Sequence, residues 1–300
     1  EGATLYVTLE PCNHFGRTPP CAEAIVQSGV KTVYVGSVDP DKRVSGRGIS
    51  YLKDAGIQVI EGILSKECSL LNEAYFHHRR TGKPFVTLKT ATTLDGKIST
   101  FTGDSRWITG KASRDHVQLL RHQHDAILVG VGTVMTDNPS LTARLETGGK
   151  HPLRVVVDSR LRIPLGATLV NDHMAPTWVF TTELKDKEKE LQLHEKGISV
   201  ISTGEGPRVN WENMLITLGE KGIISLLVEG GGTVNASLLT GDYVQKMIAF
   251  IAPKLLGGEK SLTSIEGESP SFITEAKKLC DVKVEHFGED ICITGYLQGC

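Results

Sequence analysis

No stretch of the 300-residue sequence is apolar for long enough to span a membrane, so no membrane partnership is expected. Nor is there a block rich in lysine and arginine. The 33 basic residues are outnumbered by 35 acidic ones, for a formal net charge of −2. Nucleic-acid-binding domains usually carry a basic patch or stripe, and its lack argues against a polynucleotide partner. It does not argue against a small anionic ligand, which needs only a few local cations. The six cysteines (Cys12, Cys21, Cys68, Cys280, Cys292 and Cys300) have no regular spacing beyond the first pair. In a chain of this length that pattern excludes a disulfide scaffold and fits a reducing compartment, the cytoplasm. Internal repeats and low-complexity segments are missing as well. The initial methionine is lacking too, and Thr4 already lies in a strand-like run. The chain is therefore read as one without its natural start, with which a targeting peptide could also have been lost.

What the sequence does contain is an alternation of short strands and helices, the pattern of a parallel α/β layer. Thr4–Leu9, Lys31–Val38 and Ile57–Ile60 read as strands, Ala22–Ser28 and Ile49–Ala55 as helices, and Asp39–Gly48 as a polar loop. Apolar residues at Leu64, Cys68, Leu71 and Tyr75 have helical spacing, which predicts one helix over Leu64–Arg80. Thr81–Gly82–Lys83–Pro84 breaks that pattern and predicts a domain boundary, dividing the chain into 1–81 and 82–300. The second part repeats the alternation. Its strands include Phe85–Ala91, Ala126–Val129, Arg154–Asp158 and Ser225–Glu229, and it closes on an antiparallel pair around Gly288–Glu289–Asp290. Lys111–His124 is expected to be helical, with Val117, Leu120 and Leu119 inward.

One loop stands out, Glu10–Pro11–Cys12–Asn13–His14–Phe15–Gly16–Arg17–Thr18–Pro19–Pro20–Cys21. It puts two cysteines between a strand and a helix, where the free N–H groups of the first helical turn favour a thiolate. Such a pair suits a soft metal. A catalytic zinc takes three protein ligands and keeps a fourth position for water, so two cysteines are not enough. Zinc deaminases supply a histidine and a proton-shuttling glutamate from H-x-E, followed by P-C-x-x-C. Pro11–Cys12 fits the second signature, but the next cysteine is nine residues on, and H-x-E occurs nowhere in the chain. From spacing alone, a pair of ordinary reduced cysteines remains open.

Two apolar strands end in glycine-rich turns, Val129–Thr133 and Val228–Thr233. A strand that ends in glycines and opens a helix brings backbone N–H groups close to a phosphate. Neither turn carries G-x-G-x-x-G, and tight helix–strand packing would explain them equally. Glu229, at the end of an apolar strand, is harder to dismiss, because a carboxylate at the edge of a core is costly without a partner. Lys89 likewise interrupts an apolar strand, where burial would tune it. Trp107 could be a packing aromatic, and Arg121 and Arg144 surface charges.

The segment Thr8–Cys12 with His14–Cys21 closely resembles the deaminase part of the bifunctional riboflavin-biosynthesis deaminase/reductases, the RibD or RibG family. Phe85–Lys89, Thr93–Ile98, Ser105–Ile108, Asp137–Arg144, Val157–Ser159 and Val228–Gly231 resemble that family's reductase domain, in the family's order. The resemblance implies the C-terminal part of a cytidine-deaminase-like α/β/α domain followed by a dihydrofolate-reductase-like α/β domain. It implies zinc on Cys12 and Cys21, with the third ligand and the catalytic glutamate drawn from an H-A-E for which this chain has no position. It implies NADPH held by Ala91, Trp107, Thr133, Asp137, Ser159, Gly231, Gly232, Thr233, Val234, Asn235, Ala236 and Ser237. A phosphoribosylaminopyrimidine substrate would meet Ser105, Arg121, Leu141, Arg144 and Glu229, with Lys89 and Asp137 orienting or protonating it. A homo-oligomer is also implied. The activities expected are reduction of 5-amino-6-(5-phosphoribosylamino)uracil and, in the full-length protein, deamination of the 2,5-diaminopyrimidine before it. The alternative is a reductase with a non-catalytic deaminase-like platform.

Overall fold

A computed structural model describes residues 2–16 and 18–297; Arg17 of the cysteine loop and Cys300 lie outside the described residues. The chain forms two compact units, Glu1–Lys83 and Pro84–Cys300. Among the described residues no helix is long and apolar enough to cross a membrane, and Cys12, Cys21, Cys68, Cys280 and Cys292 are all unbridged.

The first unit contains β1 (Thr4–Leu9), α1 (Cys21–Gln27), β2 (Thr32–Ser37), α2 (Arg47–Asp54), β3 (Gln58–Glu61), α3 (Ser65–Leu71) and α4 (Glu73–Thr81). Its three strands lie in the order β1-β2-β3, all parallel, as strands joined by helical crossovers must be. Ala22, Val33, Val35, Ile49, Leu52 and Ile57 form the core. The single helix expected over Leu64–Arg80 is two. Asn72 breaks it with φ −108° and ψ 17°, and its side-chain amide donates to the Cys68 carbonyl at 2.8 Å. Asparagine competes with the backbone in this way, which offsets an otherwise helical pattern. Leu71, beside the break, and Leu64, which precedes α3 with φ 51°, are exposed although helical spacing placed them on the inner face.

The second unit runs β4 (Phe85–Thr93), α5 (Lys111–Gln123), β5 (Ala126–Gly130), α6 (Val131–Asp137), β6 (Leu153–Val157), α7 (Thr168–Asn171), β7 (Thr177–Thr181), α8 (Lys187–Glu195), β8 (Ser199–Ser202), α9 (Trp211–Glu220), β9 (Ser225–Val228), α10 (Gly232–Thr240), β10 (Lys246–Ala252), β11 (Leu279–Phe287) and β12 (Asp290–Leu297). One nine-stranded sheet has the order β11-β12-β10-β4-β9-β5-β6-β7-β8. From β10 to β8 all neighbours are parallel, and β12 is antiparallel to β10 and β11. This is the mainly parallel α/β layout, closed by an antiparallel pair, that the alternation of strands and helices predicts. Val117 and Leu120 of α5 are buried, whereas Leu119, expected inward, is 37% exposed.

The topology decides where the site lies. Strand β9 returns to insert between β4 and β5, pairing Leu128 with Val228, so turns about a hundred residues apart in sequence become neighbours. Parallel strands put their carboxyl ends at one edge, and ligand crevices form there. On β4 the side chains alternate faces. Thr87 meets His124 Nε2, just past the end of α5, at 3.2 Å, and Ala91 packs against the cluster of α5 residues Val117 and Leu120. Lys89 shares that face.

Candidate active site

Lys89, Glu229 and Arg121 come together at this edge. Arg121 Nε donates to Glu229 Oε1 at 2.7 Å and Nη2 donates to Oε2 at 3.0 Å. The remaining Nη1 donates to the Thr142 carbonyl at 3.3 Å. Lys89 Nζ lies 3.6 Å from Glu229 Oε2, an ion pair too long for a hydrogen bond. All three side chains are 11–13% exposed. Burial pushes the Glu229 carboxyl up, but Arg121 and then Lys89 outweigh burial and hold it at about 2. Burial lowers the Lys89 ammonium, with Arg121 pressing the same way and Glu229 opposing. Two cations facing one carboxylate leave a net positive pocket with lysine donors not held by short hydrogen bonds, suited to an electron-rich or phosphorylated ligand.

Glu229 leads directly into Gly230–Gly231–Gly232, and with the turn after β5 the last two of these glycines border a cavity of about 450 Å³. Gly130, Gly132, Thr133, Asp137, Thr233 and Val234 line it, as does Ser105. The glycines are required by space. A Cβ on Gly232 would lie 2.3 Å from Glu266 Cγ, and one on Gly230 2.7 Å from Val234 Cγ1. Gly132 and Gly231 instead have no atom within 3.4 Å of that position, so their backbones are open to a ligand. Asn235, buried behind the turn, donates to the Ser264 carbonyl, while its Oδ1 has no partner.

The residues assigned to the dinucleotide by resemblance are not all in this cavity. Gly231, Gly232, Thr233 and Val234 line it, but Ala236 and Ser237, with Thr233, line a second cavity of about 600 Å³ beside Trp211 and Tyr243. Ser159 Oγ accepts from the Val209 N–H at 3.2 Å. Trp107 is not half-buried packing: it is 63% exposed, with the Arg114 guanidinium 4.6 Å and that of Arg106 5.9 Å from its ring centroid. Ala91 packs towards Phe250 and Val117.

The substrate residues divide as well. Asp137 lies in the glycine cavity and not in the Lys89 cluster; its carbonyl accepts from Arg106 at 2.9 Å, and burial pushes its carboxyl up against the pull of Arg106. Leu141 is 2% exposed and packs in the core with Ile127 and Val129, so only its backbone can face a ligand. Arg144 is exposed. Its backbone N–H donates to Gln118 Oε1 at 3.0 Å and its Nη1 to Ser140 Oγ at 2.9 Å. Sequence reasoning gave no site role to Ser99, Gly103, Thr136, Arg162, Leu262, Thr263 and Glu266, which also line it, and named Ile98 only within a motif. Those after residue 260 fall in a segment without strand or helix periodicity.

In the first unit, the Cys21 N–H donates to Cys12 Sγ at 3.5 Å. At Cys21 itself the hydrogen bond with Cys12, then burial, then the neighbouring sulfur push the thiol up, so easier ionisation is not seen at that residue. Among the described residues no third histidine, cysteine, aspartate or glutamate joins the pair. The start of the loop is pinned by Glu10. Glu10, 3% exposed, accepts from the backbone N–H groups of Asp39, Gly46, Gly48 and Ile49.

Residues 84–293 match the family model of the RibD C-terminal domain. Residues 1–37 match that of the cytidine and deoxycytidylate deaminase zinc-binding region. The riboflavin biosynthesis protein RibD of Actinobacillus pleuropneumoniae is 45% identical over 294 residues, which is 98% of this chain and 78% of its own length. Among solved structures, RibD of Acinetobacter baumannii (form 1) aligns with TM-score 0.86 at 32% identity, covering 98% of this chain and 80% of that one. The diaminohydroxyphosphoribosylaminopyrimidine deaminase/5-amino-6-(5-phosphoribosylamino)uracil reductase of Thermotoga maritima aligns with TM-score 0.83 at 36% identity, covering 99% and 80%.

Proposed function

The chain belongs to the RibD family of riboflavin-biosynthesis deaminase/reductases, and from that premise we propose that Pro84–Cys300 reduces 5-amino-6-(5-phosphoribosylamino)uracil with NADPH. The observation that carries this reading is the buried Lys89–Glu229–Arg121 cluster, continuous in sequence with the glycine turn of the cavity. The cavity suits a dinucleotide. Its volume lies within the roughly 300–1,000 Å³ usual for ligand sites. Gly132 and Gly231 present open backbone where phosphates need close approach.

NADPH, when bound there, supplies a hydride to C1′ of the ribose, opened to the imine. The chain's own residues position the substrate and handle the proton. Lys89 donates to the imine nitrogen, so that hydride on C1′ and proton on nitrogen together give the ribitylamino product. Burial makes that proton easier to release than one on a free lysine. Glu229 holds the ammonium in place, and Arg121, whose fork is occupied by Glu229, acts through it. Arg144 keeps guanidinium donors for the ribose phosphate, and Ser105 and the Leu141 backbone are assigned to the substrate with it. Asp137, Thr133, Gly231, Gly232, Thr233 and Val234, which line the cavity, serve the cofactor. With NADPH carrying deuterium at the transferred position, one deuterium should appear at C1′ of the product. Its absence from C1′, or turnover of dihydrofolate instead, refutes the reading.

Cys12 and Cys21 supply two of the three protein ligands of a deaminase zinc, and the residues present do not complete that site, so no deamination step is derived from them. Metal analysis checks the pair: zinc that co-purifies with the parent should be lost in Cys12→Ser. The protein is proposed to act as a homo-oligomer in the cytoplasm.

A further inference from the structure

The glycine cavity takes its charge from three side chains. Asp137 and Glu266 are carboxylates, and Arg162, in the loop after β6, is the one cation among the described residues that line it. Glu266 Oε1 is occupied, accepting from both the backbone N–H and the hydroxyl of Thr263 at 2.7 Å. Arg162 is not held in this way. Its ion pair with Asp158 spans 3.9 Å, beyond hydrogen-bonding distance, and its side chain is 63% exposed.

Strand β6 pairs with β5, with Val157 opposite Gly130, so the loop that carries Arg162 opens beside the first glycine turn. In Rossmann-type folds a carboxylate about 20 residues after the glycine turn hydrogen-bonds the ribose 2′-hydroxyl of NAD, whereas an arginine nearby accommodates the 2′-phosphate of NADP, and the same chemistry applies wherever these groups border a dinucleotide. Here the carboxylate is Asp158, and it is turned away. Its side chain is fully buried, Oδ2 accepts from the Ile163 N–H at 2.7 Å, and Oδ1 accepts from the Arg160 N–H at 3.4 Å. An inward, committed carboxylate and a cavity-facing guanidinium are the arrangement that prefers the phosphorylated cofactor. A planar guanidinium also matches phosphate oxygens with two parallel hydrogen bonds.

We infer that Arg162 binds the 2′-phosphate of the dinucleotide and sets the preference for NADPH over NADH. This rests on reading the cavity as the dinucleotide site. The test uses the full chain, Arg162→Gln and Arg162→Lys. Calorimetric titrations with adenosine 2′,5′-bisphosphate and with AMP report binding without turnover. Steady-state KM values for NADPH and NADH report it during catalysis. In Arg162→Gln, affinity for the bisphosphate and for NADPH should fall roughly 10- to 100-fold, the range for loss of a charge-assisted contact. Affinity for AMP and NADH should be unchanged, and Arg162→Lys should recover part of the loss. Equal losses for both probes, or no loss for either, would overturn the role of Arg162 while leaving the reductase reading intact. A folded parent that binds neither dinucleotide would overturn the cavity reading, and this inference with it.

Discussion

Replacing Glu229 by glutamine removes the one negative charge from a cluster holding two buried cations, at almost constant volume. In the parent, Arg121 forks onto both carboxylate oxygens and Lys89 sits 3.6 Å from Oε2. Glutamine keeps one acceptor and turns an amide NH₂ towards those donors. Breaking a buried pair by removing one partner costs about 3–5 kcal/mol. The loss should carry a pH signature. Glu229 is held at about 2 against an ordinary 4.5. At about 1.4 kcal/mol for each pH unit of that drop, this is roughly 3 kcal/mol of stability. Because the folded value is the depressed one, the contribution is fully present above pH 4.5 and is lost as the pH falls towards 2. The parent and Glu229→Gln should therefore differ by about 3–5 kcal/mol at pH 7 and converge by roughly 3 kcal/mol between pH 5 and pH 2. Urea unfolding followed by tryptophan emission reads this cleanly, since Trp107, Trp178 and Trp211 all lie in the second unit. Adding Lys89→Met to the variant should restore part of the loss. A gap under about 1 kcal/mol at pH 7, or one constant from pH 5 to pH 2, would refute the account of the cluster.

Lys89→Met alone should cut kcat by about 10²- to 10⁴-fold, the usual contribution of a proton donor, with NADPH affinity kept. A parallel loss of NADPH affinity would contradict its assignment to the substrate. Gly132→Ala places a methyl group where no atom lies within 4 Å, so stability should hold or rise by up to about 1 kcal/mol. Its NADPH affinity should nonetheless fall at least about tenfold by calorimetry, and an unchanged value would remove this turn from the cofactor site. Gly48→Ala would bring a Cβ to 1.8 Å from the Pro11 carbonyl, beside the cysteine loop. It should destabilise the first unit by at least about 1–3 kcal/mol, read as lost hydrogen-exchange protection in β1 to β3 with tryptophan emission unmoved. Retained protection would mean that the loop yields.

The strands and both glycine turns were legible because they rest on local pattern: valine-rich runs closed by glycine. Lys89 and Glu229 were legible because charge inside an apolar strand is physically costly. Their pairing was not, since Glu229 reaches Lys89 only through insertion of β9 beside β4, a non-local event. The same insertion sets the two turns side by side. The break at Asn72 was hidden by helical spacing on both sides of it. Leu141 shows the limit of residue-by-residue reading: its motif runs between exposed Asn138 and exposed Arg144, while Leu141 itself, like Thr142 and Ala143, is buried and its side chain fills the core. Arg162 and Glu266 left no local signal at all; only the β5–β6 pairing and the irregular segment before β11 bring them to the cavity.

The most direct test of the reductase account is NADPH oxidation, followed at 340 nm, with 5-amino-6-(5-phosphoribosylamino)uracil and the folded chain. One NADPH should be consumed for each ribitylamino product formed, and Lys89→Met should slow it by about 10²- to 10⁴-fold. A folded protein that binds NADPH but leaves it unoxidised in the presence of that substrate would contradict the account.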